Sequence, residues 1–250
     1  MCTIVLLRRP GHAWPLVLGA NRDEMLDRPW RPPGRHWPEQ PEVVAGRDES
    51  AGGTWLGVND SGLVAAVSNR RGSLGPAPDK RSRGELPLAA LAHGRAVEAA
   101  EALAWLDPGA YRAFNLVVAD HEASFWLRNR GDGGGIERFE VPEGLSMLTA
   151  GELDDPESPR IRAFLPRFRA APPPDPGAGD WRAWEALLAS RETGAAGDPL
   201  AAMSIATAAR FGTVSSSLIA LPGPDGRESG PVWRFAAGRP DEAGYRTLTI

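Results

Sequence analysis

The chain has a single cysteine, at residue 2, directly before the apolar run Thr3-Ile4-Val5-Leu6-Leu7. One cysteine closes no internal disulfide and cannot supply a Cys-rich zinc site, a Cys-ligated iron–sulfur cluster or a CxxCH haem attachment. Such a fold has to rest on a packed core. At 250 residues and 42% hydrophobic, the chain suits one large domain or two small ones. Its 29 glycines and 24 prolines make up about a fifth of the sequence, which predicts many turns and short strands around that core.

Net charge is −4, so no global basic field argues for nucleic acid or a membrane surface. The run Thr3–Leu7 is five residues long and then meets Arg8, Arg9 and Pro10. That is too short for a signal peptide, and a spanning helix needs about twenty apolar residues. The expectation is a cytoplasmic protein with no membrane span and no nucleic-acid partner.

Two apolar runs, Thr3–Leu7 and Pro15–Ala20, joined through Pro10-Gly11-His12, predict a hairpin. The polar cluster Asn21-Arg22-Asp23-Glu24 is expected at its exit. Prolines and tryptophans alternate from Arg28 to Pro41 and predict an extended loop. The turn Asn59-Asp60-Ser61-Gly62 joins two further strands. Ser82-Arg83-Gly84-Glu85 is a capping-box pattern opening a helix through Leu91, and a second helix is expected over Ala96–Leu106. Strands follow at Phe114–Ala119, Ser124–Arg128, Ile136–Val141 and Leu145–Thr149. Ser158-Pro159 starts a helix to about Arg169, the Pro/Gly-rich stretch 170–179 is a connector, and Asp180 caps a helix with Trp181, Trp184, Leu187 and Leu188 on one face. Thr213–Leu221, Val232–Phe235 and Tyr245–Ile250 are strands. The order strands, helices, strands, helices, strands argues for a layered α+β fold of mostly antiparallel sheets.

Cys2 is the candidate catalytic centre. Aminopeptidases remove an initiator methionine when residue 2 is small, leaving a thiol and a free α-amine on one residue. That amine, with a reference pKa of about 7.7–8.0, accepts protons near neutral pH, as in threonine nucleophiles activated by their own N-terminus. Asp23, on the strand paired with that of Cys2, is placed to orient the amine. Asn69, in Ser68-Asn69 at the exit of another strand, is a candidate oxyanion donor. Asn21 and Arg22 complete the candidate set.

Met1-Cys2-Thr3, Asn21-Arg22-Asp23-Glu24, Ala45-Gly46-Arg47-Asp48, Gly53-Thr54-Trp55-Leu56-Gly57, Ser68-Asn69 and Ser82-Arg83-Gly84-Glu85 occur in the order seen in the NRDE family, which the chain resembles. Phe114-Asn115-Leu116, Phe211-Gly212-Thr213 and Ser215-Ser216-Ser217 are similar to its later blocks. The animal members are called transport and Golgi organisation proteins. The family in turn resembles N-terminal-nucleophile hydrolases, which implies a four-layer α/β/β/α sandwich in a single domain over 1–250. It has been linked to haem trafficking and to acyl-CoA and lipid balance. The cysteine amidases acting on penicillin V and conjugated bile acids share the Met-Cys-Thr-like start and an Arg-Asn-x-Asp block, whose aspartate Asp23 matches. Ala20 stands at that block's arginine, and Ala150-Gly151 follow Thr149 where those amidases carry an asparagine.

Two functions follow from this resemblance. One is hydrolysis of a small amide or acyl thioester by Cys2, with no cofactor required. The other is non-catalytic binding of haem or a fatty acyl thioester. Trp30, Trp37 and Trp55 would then wall an apolar pocket, and Cys2, His12, His36, His93 or His121 would serve as axial ligand. No metal site is expected from spacing. The cluster Arg70, Arg71, Lys80, Arg81 and Arg83 is read as a solvated loop rather than a phosphate site.

Overall fold

The computed structural model describes residues 2–193 and 197–250, and Met1 lies outside them. The chain forms two compact units, one of Met1–Asp27 with Pro142–Ile250 and one of Arg28–Val141.

The first unit is built on a six-stranded antiparallel sheet. Its strands are β1 (Thr3–Arg8), β2 (Leu16–Met25), β10 (Gly144–Leu148), β11 (Phe211–Leu221), β12 (Val232–Ala236) and β13 (Arg246–Leu248). They lie side by side in the order β10-β1-β2-β11-β12-β13. The expected first hairpin is present, with one correction. β2 runs to Met25, so Asn21–Glu24 lie inside a strand and not at its exit. Pairing with β11 over the full length of β2 holds these polar residues in the ladder.

Helices α3 (Pro159–Ala170) and α4 (Arg182–Leu188) pack on one face of this sheet. Their Ile161, Phe164, Phe168, Trp184 and Leu188 meet Val5, Val17, Met147 and Leu218 in one core. Ser158 caps α3 by accepting from the Ile161 amide, with Pro159 at the first position. Asp180 does not cap α4. It accepts from Arg182 N at 3.2 Å and clamps the Arg182 guanidinium, while Trp181 occupies the N-cap.

The second unit is a seven-stranded antiparallel meander in sequence order. It comprises β3 (Trp30–Gly34), β4 (Val43–Asp48), β5 (Leu56–Asn59), β6 (Val64–Asn69), β7 (Phe114–Ala119), β8 (Ser124–Asn129) and β9 (Glu137–Glu140). The expected Arg28–Pro41 loop therefore contains a strand, tied to β4 at Trp30 and Arg31. Helices α1 (Glu85–Leu91) and α2 (Ala96–Ala104) cover one face, and small Ala96, Ala99 and Ala100 let α2 approach the sheet closely.

The capping box at Ser82 does not form. α1 begins at Glu85 behind Gly84, the Ser82 hydroxyl accepts from Gly84 N at 3.2 Å, and Glu85 turns back to Arg81 at 2.8 Å. Close packing accounts for the position. Gly53 and Gly84 lie backbone against backbone, Thr54 N donates to Gly84 O at 2.9 Å, and a Cβ on Gly53 would strike Gly84. Gly46 likewise lies flat under the Trp55 indole. Two of the sequence blocks thus touch each other, and their glycines are contact surfaces.

Candidate functional site

Strand alternation sorts the first unit's polar residues into two sets. Gly19 faces Trp184 and Leu188 of α4, so the odd residues of β2 point to the helices. Asn21 and Asp23 share that face, and Thr3 joins them as the register partner of Asn21. Ala20 and Arg22 point the other way, and Cys2, one residue beyond Thr3, falls level with Arg22 on that same side.

The helix-side set is joined by a network of hydrogen bonds. Asp23 Oδ1 accepts from Thr213 Oγ1 at 2.7 Å, and its Oδ2 accepts from Arg160 Nη1 at 3.0 Å. The same Nη1 donates to Thr3 Oγ1 at 2.5 Å, and Nη2 to Leu200 O at 2.8 Å. Thr213 Oγ1 also accepts from Ile205 N at 2.9 Å. Asn21 donates both amide hydrogens, to Leu188 O and Met203 O, each at 2.9 Å. Its Oδ1 accepts from Ser216 at 2.5 Å, and the Tyr245 hydroxyl lies 2.6 Å from Ser216 Oγ. With both donors engaged, Asn21 braces β2 against the segments after α4 and has no hydrogen left for an oxyanion.

On the other side, Cys2 is partly buried, with Sγ 3.9 Å from the Asp23 carbonyl oxygen, toward which the thiol donates. Burial pushes the thiol above its ordinary value, and the Asp23 carboxylate adds to that rise. The positive charges of the N-terminus and of Arg22 pull in the opposite direction. The net effect is a neutral thiol at rest, which needs a base before it can attack a carbonyl. β10 pairs Leu148 with Ile4. Ala150, two residues past the end of that strand, is buried and carries a methyl without a donor.

Asn69 belongs to the second unit, at the end of β6, where its Nδ2 makes a long 3.4 Å contact with Arg70 O. Among the five residues singled out by sequence, Cys2, Asn21, Arg22 and Asp23 are brought together in the first unit. Arg160 and Thr213 were missed. Arg160 carries a legible sign, since it lies four and eight residues before Phe164 and Phe168 on the buried stripe of α3. Thr213 lies in the Phe211-Gly212-Thr213 block and pairs with Asp23 across the ladder.

Other sequence candidates have structural roles. Trp37 is core, with Nε1 donating to Gly52 O at 3.2 Å, so it walls no pocket. Trp30 packs edge-on to Trp55, ring centroids 5.9 Å apart. His12 Nδ1 accepts from Trp14 N at 2.9 Å, and His36 Nε2 lies 2.8 Å from Pro32 O. Among the described residues no three His, Cys, Asp or Glu side chains converge on one point. The basic loop is tied down by its own contacts. Arg70 holds Asn115, Arg81 holds Glu85, Arg83 holds the Ser73 and Ala113 carbonyls, and Lys80 holds Gly109 O. No described helix is long and apolar enough to cross a membrane.

The chain is 34% identical over 123 residues to the mouse Transport and Golgi organization 2 homolog, covering 45% of this chain and 41% of that protein. It is 33% identical over 117 residues to the human homolog, covering 44% and 40% respectively. The matched stretch therefore spans about two fifths of each relative's length. Among solved structures, a Caenorhabditis elegans ortholog of N-acylethanolamine-hydrolyzing acid amidase superposes with a TM-score of 0.57 at 12% identity, covering 99% of this chain and 100% of that one. The C2A mutant of Clostridium perfringens conjugated bile acid hydrolase gives 0.54 at 10%, covering 100% and 97%. Penicillin V acylase from Agrobacterium tumefaciens gives 0.52 at 14%, covering 95% and 83%. At these identities the likeness shows the fold alone, and it is the expected α+β, N-terminal-nucleophile hydrolase-like fold. The model of the family described as Transport and Golgi organisation 2 matches residues 1–171, and the chain belongs to that family.

Proposed function

We propose that the protein is an N-terminal-nucleophile hydrolase-like enzyme in which Cys2, freed of Met1, attacks the carbonyl of a small amide or acyl thioester. The observation that supports this most directly is the placement of Cys2, partly buried beside Asp23 and level with Arg22 at the head of β1. The thiol proton passes to the α-amine of Cys2 as the S–C bond forms. The leaving amine or thiol takes that proton as its bond to carbon breaks, and water then hydrolyses the thioester, returning the thiol and releasing the acid. Asp23 is a positioning residue, fixed by Thr213 and Arg160, and Arg22 favours the thiolate. Ala150, just past β10, supplies no side-chain amide to the oxyanion.

Intact-mass spectrometry tests this directly. The purified protein should lack Met1 and gain one acyl mass on incubation with a panel of activated amides and acyl thioesters. Cys2→Ala should not label. Retained Met1, or labelling that persists without the thiol, overturns the assignment.

A second reading, binding of an acyl thioester or haem without turnover, is favoured by Ala150, a methyl without a donor just past β10. The donor set fits an acyl group better than haem iron, because His12 and His36 each have one ring nitrogen hydrogen-bonded to backbone. Saturable binding of a nonhydrolysable acyl thioester with no acid released under any condition would favour it. A Soret titration tests haem, and subcellular fractionation tests the cytoplasmic location that we also propose.

A further inference from the structure

A cavity of about 440 Å³ opens on the first unit away from Cys2. Its apolar floor is Leu7 of β1, Leu145 of β10, Phe168 of α3 and Trp184 of α4. Leu7 and Leu145 are register partners, and they lie two residues along from Val5 and Met147 in the helix-side core. Residues two apart share a sheet face, so the cavity lies on the face opposite Cys2. It is also at the far end of β1, roughly 17 Å along the strand at about 3.3 Å per residue.

The charged lining is Arg9 and Arg169 against one exposed carboxylate, Glu143. Two buried donors on this lining, Arg9 Nε and Trp184 Nε1, have no hydrogen-bond partner among the described residues. Arg9 Nη2 reaches Trp14 O only at 3.4 Å. Arg169 Nη2 reaches Leu145 O at 3.3 Å and Asp154 at 3.8 Å. Burial holds the Arg9 guanidinium below its ordinary value, against the pull of Asp175 in the connector. Buried N–H groups without an acceptor are costly, and a ligand that supplies the acceptor removes that cost. The volume falls within the ~300–1,000 Å³ of small-molecule sites.

We propose that this cavity is a second binding site, for a small amphipathic carboxylate. The tail covers Leu7, Leu145 and Phe168, and the carboxylate accepts from Arg9 and from Trp184 Nε1. Arg169 adds charge at the rim, and Ala171 and Pro173 give the Pro/Gly-rich connector its place as one wall. The site is separate from the Cys2 chemistry and does not depend on it.

Decanoate and decanol, titrated calorimetrically into the whole protein, test this. Decanoate should saturate with a Kd at least about tenfold below that of decanol, the cost of losing one charge-assisted contact. Arg9→Met and Trp184→Phe should each weaken decanoate about tenfold and leave decanol unchanged, whereas Cys2→Ala should bind decanoate as the parent does. The decanoate–decanol comparison uses only the parent protein, so it stands if a variant fails to fold. Equal binding of the two probes, no saturation by either, or loss of decanoate binding in Cys2→Ala overturns the proposal.

Discussion

Arg160 and Asp23, 137 positions apart in the chain, form an ion pair whose side chains are 3% and 0% exposed. Removing one partner leaves a buried charge uncompensated, which costs about 3–5 kcal/mol. Arg160→Met should therefore lower unfolding free energy by about that amount in urea titrations followed by tryptophan fluorescence. Replacing a buried pair by apolar groups of similar size is often neutral, so adding Asp23→Leu should recover most of the loss. The double variant should nevertheless fail to acylate at Cys2, separating the fold-holding role of the pair from its positioning role. A double variant no more stable than Arg160→Met alone would place the main partner of Asp23 elsewhere.

The thiol of Cys2 supplies a pH-dependent prediction. Burial raises its pKa, with Asp23 adding to the rise and Arg22 opposing it. Iodoacetamide alkylation should accordingly be slower at pH 7 than for an exposed cysteine, and should keep rising above the ordinary thiol value of about 8.5. Arg22→Met removes one of the opposing positive charges, beside that of the N-terminus, and should shift the profile further upward. An alkylation midpoint below pH 7 in the parent would be incompatible with this setting.

Much of the framework was legible because local chemistry and tertiary packing agree. The Ser158-Pro159 helix start, the Asn59–Gly62 hairpin and the strand Phe114–Ala119 appear as their residues predict. Sequence reasoning failed where a long-range partner decided the outcome. Asn21–Glu24 read as lying at the strand's exit because four polar residues in a row are costly in a sheet interior, yet β11 pairs with them and Arg160 holds Asp23 from more than 130 positions away. At Ser82 the capping pattern yields to the Gly53–Gly84 contact, which fixes the chain before the helix can start. In the candidate site, Cys2 and the Asn21–Asp23 strand were visible. Arg160 and Thr213 were missed: the one sign of Arg160 is its place on the buried stripe with Phe164 and Phe168, and Thr213 meets Asp23 from 190 positions away.

The Gly53–Gly84 contact predicts a position-specific cost. A methyl on Gly53 meets backbone that cannot rotate away. Gly53→Ala should destabilise by about 1–3 kcal/mol or more, the range for overpacking. Gly94→Ala is the control, because nothing lies within 4 Å of a Cβ there. Equal thermal midpoints for the two variants would show that the two backbones do not touch.

The chain has only two tyrosines, and both are shifted upward. Burial raises Tyr111, with the Arg81 guanidinium 5.4 Å from its ring opposing. Burial raises Tyr245 further, partly offset by its hydrogen bond with Ser216. The Tyr245 hydroxyl shares a hydrogen bond with Ser216, and ionisation would bury a phenolate. The folded pKa lies above the unfolded value of about 10, so the contribution to stability is complete below about pH 10 and is lost as pH rises through the folded value. Absorbance at the phenolate band should thus lag the denatured titration for both tyrosines, and the Tyr245 share should appear only as the fold opens in alkali. Tyr245→Phe should remove that late step at a cost of about 1 kcal/mol for one neutral hydrogen bond, leaving Ser216 bonded to Asn21. A native titration that overlays the denatured one would put the Tyr245 ring in solvent and break the chain of contacts from Asn21 through Ser216 to the C-terminal strand.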